Sequence, residues 1–253
     1  MSNTRFKLKD FQEEGVRWML EREIDSKYHG GVLADDPGLG KTIQTAGLLA
    51  GNPKDRTLII VPTSVIYQWV NTLSEIFGRD SVYLHYGSGK ARTQLKLISK
   101  MCGKQICVTS HGGSFTPSAK KGSLQEMMEK DDPKKIQTVI HTIKWDRVVI
   151  DEAHVLRNKS TKIHKACAML NWSLNNMWAL TGTPVQNSEN DMIALALFIG
   201  IPLSIASNYL ESFVQQYVKR RTKQILIDNK EIDDYQVMNH QVPFDTKEEQ
   251  DVY

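Results

Sequence analysis

The sequence predicts a doubly wound α/β fold, in which a parallel sheet carries helices on both faces. Short, almost wholly apolar segments such as residues 57–62 and 147–150 have the composition of strands that are buried on both faces of a parallel sheet. Segments with helical periodicity alternate with these strands along the chain. Polar and charged residues follow several strands directly, and ligands of doubly wound folds bind at that edge of the sheet.

The predicted strands and helices alternate along most of the chain. Strands are predicted at residues 31–33, 57–62, 81–86, 105–110, 147–150 and 178–180. Helices are predicted at residues 7–23, at 43–50, from 63 onward, and at 162–170, 191–199 and 208–227. Residues 1–227 would form one domain, interrupted by a polar surface insertion at about 112–144. The polar tail at 228–253 is expected to be a linker.

A phosphate-binding loop is predicted between the strand at 31–33 and the following helix. Gly38 and Gly40 allow the backbone to curl so that its N–H groups point inward, and the helix N-terminus adds partial positive charge. Lys41 would reach the β- and γ-phosphates, and the Thr42 hydroxyl would bind Mg²⁺. Asp35 stands where the standard pattern begins with Gly, so an ordinary glycine-rich turn is the alternative interpretation.

An acidic pair, Asp151 and Glu152, directly follows the strand at 147–150. Because the carboxyl ends of parallel strands face the ligand crevice, Asp151 could hold Mg²⁺ through water and Glu152 could orient an attacking water. His154 could couple these groups to polar neighbours. Alone, this segment could be a solvated helix start, but together with the loop it predicts a nucleoside triphosphatase.

Other polar residues are weaker candidates for ligand contacts. The Gln12 amide can donate and accept, which matches the edge of adenine, although a surface helix position is the simpler interpretation. Thr63 and Ser64 could bind a backbone phosphate of nucleic acid or simply cap a helix. Residues 181–187 would lie beside the acidic pair if strands and helices alternate as predicted.

Composition limits the classes of function. The 253-residue chain has a formal net charge of +3, which is too small to indicate nucleic-acid binding by itself. Its three cysteines lack metal-ligand spacing and are typical of free thiols in a reducing compartment. No apolar run reaches the roughly 18 residues of a membrane span, and no signal peptide is recognisable. A soluble intracellular protein without a membrane partner is expected.

In sequence order, these segments resemble the first RecA-like lobe of the Swi/Snf family of helicase-like ATPases in helicase superfamily two. Phe11 and Gln12 resemble the adenine-recognising motif, and residues 35–42 resemble the family's phosphate loop, in which an acidic residue regularly replaces the opening Gly. Further similarities cover the DNA-contacting motifs (57–69 and 109–110), the Mg²⁺ and water motif (151–154), the motif linking hydrolysis to movement (180–187) and the basic run closing the lobe (219–223). Residues 145–158 are most similar to the branch of helicase-like transcription factor and transcription termination ATPases.

The resemblance implies a set of functional residues. The ATP-binding residues would be Gln12, Asp35, Asp36, Pro37, Gly38, Leu39, Gly40, Lys41, Thr42 and Ile43. Thr42 and Asp151 would hold Mg²⁺, and the catalytic residues would be Lys41, Asp151, Glu152 and Gln186. The DNA contacts would come from Thr63, Ser64, Trp69, Thr109, Ser110 and Asn158. The residues that couple hydrolysis to movement would be His154, Thr181, Gly182 and Thr183.

The resemblance also implies an activity, which is ATP-driven translocation along duplex DNA that remodels or displaces bound proteins without reading sequence. It favours the nucleus, or a viral replication or transcription site. The family's second RecA-like lobe is expected to be absent from this chain. Because an arginine finger from that lobe accounts for about 10³–10⁵ in rate, the chain alone should bind ATP weakly and hydrolyse it poorly. Pro37 stands where Met is usual and removes one loop N–H.

Two other functions remain open. A strand-separating DNA or RNA helicase could share the acidic motif, although Gln186 and Asn187 disfavour this because RNA helicases usually carry Ser-Ala-Thr there. The second is a nucleotide-binding or DNA-binding module without turnover.

Overall fold

The computed structural model describes residues 7–86, 105–112, 115, 139–158, 161–170, 176–183 and 189–229. Within them, one sheet of seven strands has the order β3-β4-β2-β5-β6-β1-β7, and each pairing is parallel. The strands are β1 (Gly30–Leu33), β2 (Thr57–Val61), β3 (Val82–His85), β4 (Ile106–Ser110), β5 (Arg147–Ile150), β6 (Met177–Leu180) and β7 (Val218–Lys219). The predicted parallel α/β fold is confirmed.

The helices connect these strands in the predicted alternation. They are α1 (Asp10–Asp25), α2 (Lys41–Gly51), α3 (Ile66–Phe77), α4 (Lys162–Ala168), α5 (Glu189–Phe198), α6 (Leu203–Asn208), α7 (Leu210–Tyr217) and α8 (Gln224–Asp228). Three-residue and four-residue 3-10 turns lie at Thr63–Val65, Arg79–Ser81, Val139–Thr142 and Ala153–Leu156.

Successive side chains of the central strands enter two separate apolar clusters. On β2, Ile59 and Val61 pack with residues of α1, α2 and α3, whereas Leu58 and Ile60 pack with residues of α4, α5 and α7. Because side chains alternate between the two faces of a strand, an uninterrupted apolar strand requires a helix layer on each face. Because every pairing is parallel, the carboxyl ends of all seven strands lie at one edge of the sheet.

The predicted helix at 208–227 is wrong. The structure divides this segment into α7, the short strand β7 and α8. Val218 and Lys219 pair in parallel with Val32 and Leu33 of β1. These two residues therefore form strand hydrogen bonds with β1, although helical periodicity alone assigns them to a helix. Tertiary pairing overrides local propensity here, and the cationic run therefore leaves the sheet beside the phosphate loop.

Both ends of the predicted surface insertion belong to the core instead. Phe115 is buried and stacks on His141 with ring centroids 5.3 Å apart. The Trp145 indole donates to the Ile140 carbonyl. Residues 116–138 lie outside the described residues, so the insertion between these ends stays a prediction.

The chain divides into two compact units, Met1–Thr222 and Lys223–Tyr253. The predicted boundary at 227/228 stays a prediction, and most of the expected linker lies outside the described residues. Where the chain is described, no helix has both the length and the apolar character needed to cross a membrane. Cys107 and Cys167 are buried free thiols.

Candidate nucleotide-binding site

The predicted phosphate loop lies between β1 and α2. Gly38 and Gly40 have φ angles of 95° and 79°, a region of backbone conformation that glycine adopts without strain. A Cβ atom at Gly40 would lie 2.5 Å from Gln12 Nε2, so this position also lacks space for a side chain. Gly40 is the N-cap of α2, and the first N–H groups of a helix have no intrahelical acceptor. The loop can therefore direct backbone donors at an anion.

Gln12 joins α1 to this loop. Its side chain is almost fully buried, accepts from the Lys9 N–H at 3.1 Å, and donates to the Leu39 carbonyl at 3.2 Å. The amide thus fixes the helix start relative to the residue before Gly40. The predicted contact between Gln12 and adenine stays a prediction.

Lys41 and the acidic pair lie within each other's electrostatic reach. Lys41 Nζ donates to the Asp35 carbonyl at 2.6 Å and to the Asp36 carbonyl at 3.4 Å. Burial lowers the pKa of Lys41, and the charges of Asp151 and Glu152 are the largest effects that oppose this shift. The carboxyl ends of β1 and β5, separated in the sheet only by β6, bring these distant residues together.

Asp151 is held by hydrogen bonds to both of its carboxylate oxygens. Trp69 Nε1 donates to Oδ2 at 3.0 Å, and the Glu152 N–H donates to Oδ1 at 2.9 Å. Burial raises the pKa of Asp151, while these two donors act in the opposite direction. This corrects the prediction that Trp69 contacts DNA, because its ring is buried against the sheet and its only polar atom orients the carboxylate.

Glu152 has an unusual backbone conformation. Its φ of 50° lies in the left-handed region, which non-glycine residues rarely adopt and which is common at functional sites. The Glu152 carboxylate is 3.0 Å from His154 Nδ1, and both side chains are 40% exposed. The turn after β5 therefore presents Glu152 and His154 to solvent beside the partly buried Asp151.

His111 is a neighbour of this site that the sequence did not indicate. It follows β4, and its N–H donates to the Val61 carbonyl at 2.9 Å. Burial lowers the pKa of His111 to about 4 and outweighs the opposing effect of the Asp151 and Ile60 backbone. A neutral imidazole therefore packs behind the acidic turn. The polar ending of the strand at 105–110 is the only sequence signal for this position.

The predicted coupling segment contacts both motifs. A Cβ atom at Gly182 would lie 2.9 Å from the Pro37 ring, so this segment packs closely on the phosphate loop. The Thr181 hydroxyl accepts from the Thr183 N–H at 3.1 Å.

Arg157, which follows the acidic turn, joins this segment to α5. It donates to the Thr183 carbonyl, and its Nε lies 3.5 Å from Asp191 Oδ2 of α5. Gln186 lies outside the described residues, and its predicted role stays a prediction.

Protein groups enclose the Asp35 side chain. Its carboxylate is fully buried and bonds to Arg221 and to Gln44. A carboxylate enclosed in this way has no surface for a ligand, so the predicted part of Asp35 in nucleotide binding stays a prediction for its backbone alone. Neither Gln44 nor Arg221 was among the predicted site residues, although Asp35 in place of Gly and the cationic run were visible signals.

The predicted DNA contacts fall into two groups. Thr63, Ser64 and Asn158 are exposed, and Thr63 and Ser64 cap no helix with their side chains. Thr109 and Ser110 are buried, and the Thr109 hydroxyl donates to the His85 carbonyl at 2.9 Å. Because β4 places both residues inside the sheet, their buried side chains disfavour a direct DNA contact, and the predicted contacts of both groups stay predictions.

Comparison with known proteins gives consistent matches. The SNF2-related domain family matches residues 11–208. An uncharacterized ATP-dependent helicase of Schizosaccharomyces pombe is 33% identical over 217 residues, which cover 81% of this chain and 20% of that protein. A probable global transactivator of Orgyia pseudotsugata multicapsid polyhedrosis virus is 30% identical, over 95% of this chain and 47% of its own length.

A solved structure, the Sulfolobus solfataricus SWI2/SNF2 ATPase core in complex with dsDNA, has the same fold. Its TM-score is 0.64 at 24% identity, over 87% of this chain and 46% of that chain. This chain thus spans less than half the length of each of these three proteins. The chain belongs to the SNF2-related domain family, the Swi/Snf group of helicase-like ATPases, and corresponds to part of the longer proteins in that group.

Proposed function

We propose that this chain is the ATP-binding lobe of a DNA-dependent ATPase that translocates on duplex DNA and remodels or displaces bound proteins. The observation that carries the proposal is that the loop with Lys41 follows β1 and the pair Asp151 and Glu152 follows β5 at one edge of the sheet, where only β6 separates the two strands. A loop that contains two glycines with positive φ and a carboxylate pair in this arrangement are parts that phosphoryl transfer from a nucleotide requires. Membership of the SNF2-related domain family supports the same choice.

In this proposal the loop and Lys41 bind the triphosphate. The N–H groups from Gly38 to Ile43 surround the phosphates, and Lys41 leaves the carbonyls of Asp35 and Asp36 to reach the β- and γ-phosphates. The partly buried Lys41 ammonium would gain by exchanging carbonyl oxygens for phosphate oxygens, because hydrogen bonds between two charged groups are stronger. Gln12 reads the base from the other side of Gly40.

The oxygen donors of the site are suitable for Mg²⁺ that is bound with a triphosphate. Within the described segments, no group of three or more His, Cys, Asp and Glu side chains could hold a metal ion. Mg²⁺ usually keeps several waters and takes one or two carboxylates together with substrate phosphates, which Thr42 and Asp151 can complete. When bound, Mg²⁺ neutralises charge that develops on the phosphates.

Glu152 orients the attacking water in this mechanism. Its position directly after Asp151, on a turn with positive φ, places the carboxylate in the open part of the site. Trp69 and the Glu152 N–H keep Asp151 in one orientation. His154 restrains Glu152 and joins it to the neighbouring segments that respond to hydrolysis.

The proposed partner of the lobe is duplex DNA, which would bind at exposed polar residues beside the nucleotide site. Thr63, Ser64 and Asn158 are exposed polar residues at or near the carboxyl ends of β2 and β5, and such side chains bind backbone phosphates without reading sequence. The Sulfolobus core was solved with dsDNA. A second lobe would complete both the ATP site and the DNA track. The viral relative supports action in the nucleus or at a viral transcription site.

Nucleotide affinity tests the proposal. Lys41→Ala should reduce the affinity for MgATP below detection in titration calorimetry, because the buried ammonium is the main side-chain ligand of the phosphates. Lys144→Ala, at an exposed lysine, is the matched control and should bind as the wild type does. Equal affinity of the Lys41→Ala and wild-type proteins would remove the phosphate-loop assignment.

The partner is tested separately by the stimulation of ATP hydrolysis in the full-length protein. Duplex DNA should stimulate hydrolysis more than single-stranded RNA, and the effect should weaken as salt increases, because phosphate contacts release counterions. A preference for RNA would favour a strand-separating helicase. Nucleotide binding without turnover under any of these conditions would favour a binding module.

A further inference from the structure

Arg221, just beyond β7, makes a buried ion pair with the first acidic residue of the phosphate loop. Arg221 Nη2 donates to Asp35 Oδ2 at 2.6 Å, and Arg221 Nε donates to Asp35 Oδ1 at 3.0 Å. The Arg221 backbone N–H donates to the same Oδ1 at 3.0 Å. The exposed fractions of the two side chains are 9% and 0%. The pair is therefore bidentate and shielded from solvent, which is the strong form of this interaction.

The same guanidinium also reaches the two helices on either side of the loop. Arg221 Nη2 donates to Gln44 Oε1 of α2 at 2.7 Å, and Nη1 donates to the Phe11 carbonyl of α1. The guanidinium carbon lies 5.5 Å from the centre of the Phe11 ring. One side chain thus connects the loop, the helix that follows it, and the segment that carries Gln12.

Gln44 extends this network to the other end of the loop. Its Nε2 donates to Asp35 Oδ2 at 3.0 Å and to the Leu39 carbonyl at 3.3 Å. Gln12 donates to the same carbonyl. Both the beginning of the loop and the residue before Gly40 are therefore fixed from inside the protein. The carboxylate of Asp35 and the amide of Gln44 are thus bonded to other protein groups.

The backbone after β7 supports the loop as well. The Ala34 N–H donates to the Lys219 carbonyl at 2.7 Å, and the Asp36 N–H donates to the Arg221 carbonyl at 2.9 Å. These bonds continue the pairing of β1 and β7 beyond the last strand residue. A loop with two glycines in the left-handed region loses much conformational entropy when it is ordered, so external bonds of this kind lower the cost of ordering it upon binding.

We propose that Arg221, acting through Asp35 and Gln44, is a positioning residue for nucleotide binding. It holds the phosphate loop in its binding conformation and fixes the Phe11–Gln12 segment relative to it, although it does not touch the nucleotide. This inference rests on the nucleotide-binding function proposed above. It also gives a physical reason for Asp35 at a loop position where a standard phosphate loop has glycine, since glycine could not anchor the guanidinium.

Arg221→Lys tests this role, because lysine keeps the positive charge but cannot make the forked contacts to Asp35, Gln44 and Phe11. We expect MgATP affinity in titration calorimetry to fall about tenfold, the size of one lost charge-assisted hydrogen bond. Asp35→Asn should give a similar loss. The double variant should bind little worse than either single variant, because the two side chains act as one unit.

Arg147→Lys is the matched control, since Arg147 makes a comparable fully buried pair with Glu23 at the opposite edge of the sheet. It should lower Tm at least as much as Arg221→Lys and leave the MgATP affinity of the folded protein unchanged. If Arg221→Lys binds MgATP with an affinity within twofold of wild type, Arg221 only stabilises the fold. The same conclusion holds if Arg147→Lys loses as much MgATP affinity as Arg221→Lys does. These affinities are measured on the full-length protein, and a wild-type full-length protein that does not bind MgATP would refute the proposed function itself.

Discussion

At the residue scale, the site depends on a few side chains and backbone angles that local sequence does not determine. Glu152 combines a positive φ with a half-exposed carboxylate, whereas the adjacent Asp151 is largely buried and held by two donors. Two neighbouring carboxylates thus have different surroundings. We infer different roles from this contrast, with Asp151 at the metal and Glu152 at the water.

Glu152→Gln separates these roles. The amide has almost the same shape, so MgATP affinity should stay close to that of wild type, whereas turnover should fall about 10²–10⁴-fold because the group that accepts from water is lost. Steady-state hydrolysis by the full-length protein with duplex DNA is the measurement. Glu189→Gln, at an exposed residue of α5, is the control. Unchanged turnover in Glu152→Gln would show that Glu152 takes no part in hydrolysis.

At the scale of elements, a buried polar cluster fastens helices to the sheet at the edge opposite the site. Glu23 of α1 accepts from Arg147 of β5 at 2.7 and 2.5 Å, and from the Trp178 indole of β6 at 2.9 Å. Asn52, at the end of α2, donates to Glu23 and accepts from Arg147. Two helices and two strands therefore share one fully buried ion pair.

Glu23→Gln should be strongly destabilising, because it leaves the Arg147 charge buried without its counter-ion. Removal of one partner from a buried pair costs about 3–5 kcal/mol in the free energy of unfolding. Chemical denaturation measures this loss, with Glu14→Gln as control. Glu14 pairs with Lys219 at the surface, and such pairs contribute no more than about 1 kcal/mol. Equal losses in the two variants would contradict the role of the cluster.

Element identity was largely predictable, and the main error has a specific cause. Apolar runs such as residues 57–61 and 147–150 are strands in the structure, because only a doubly covered parallel sheet accommodates them. Residues 218–219 form a strand because they pair with the edge of β1. The partner strand lies about 185 positions away in sequence, so the local sequence does not reveal this pairing. The side chains that approach Asp35 could not be inferred from local periodicity for the same reason.

At the scale of the whole molecule, the order of strands in the sheet produces the site. β1 and β5 are far apart in sequence but flank β6, so their carboxyl ends, together with that of β6, form one continuous surface. The two motifs and their common edge could be predicted from sequence. The roles of Trp69, Thr109 and Asp35 could not, since burial depends on which elements pack against them. Trp69, for example, was predicted to contact DNA, but in the structure α3 directs its indole N–H to the Asp151 carboxylate.

The most direct test of the account is a crystal structure with Mn²⁺ and a non-hydrolysable ATP analogue. The account predicts Lys41 Nζ within hydrogen-bond distance of a β- or γ-phosphate oxygen. It also predicts an anomalous Mn²⁺ peak between the phosphates, the Thr42 hydroxyl and the Asp151 carboxylate. A triphosphate bound away from Lys41, or a metal peak with no link to Asp151 directly or through water, would contradict a shared nucleotide site.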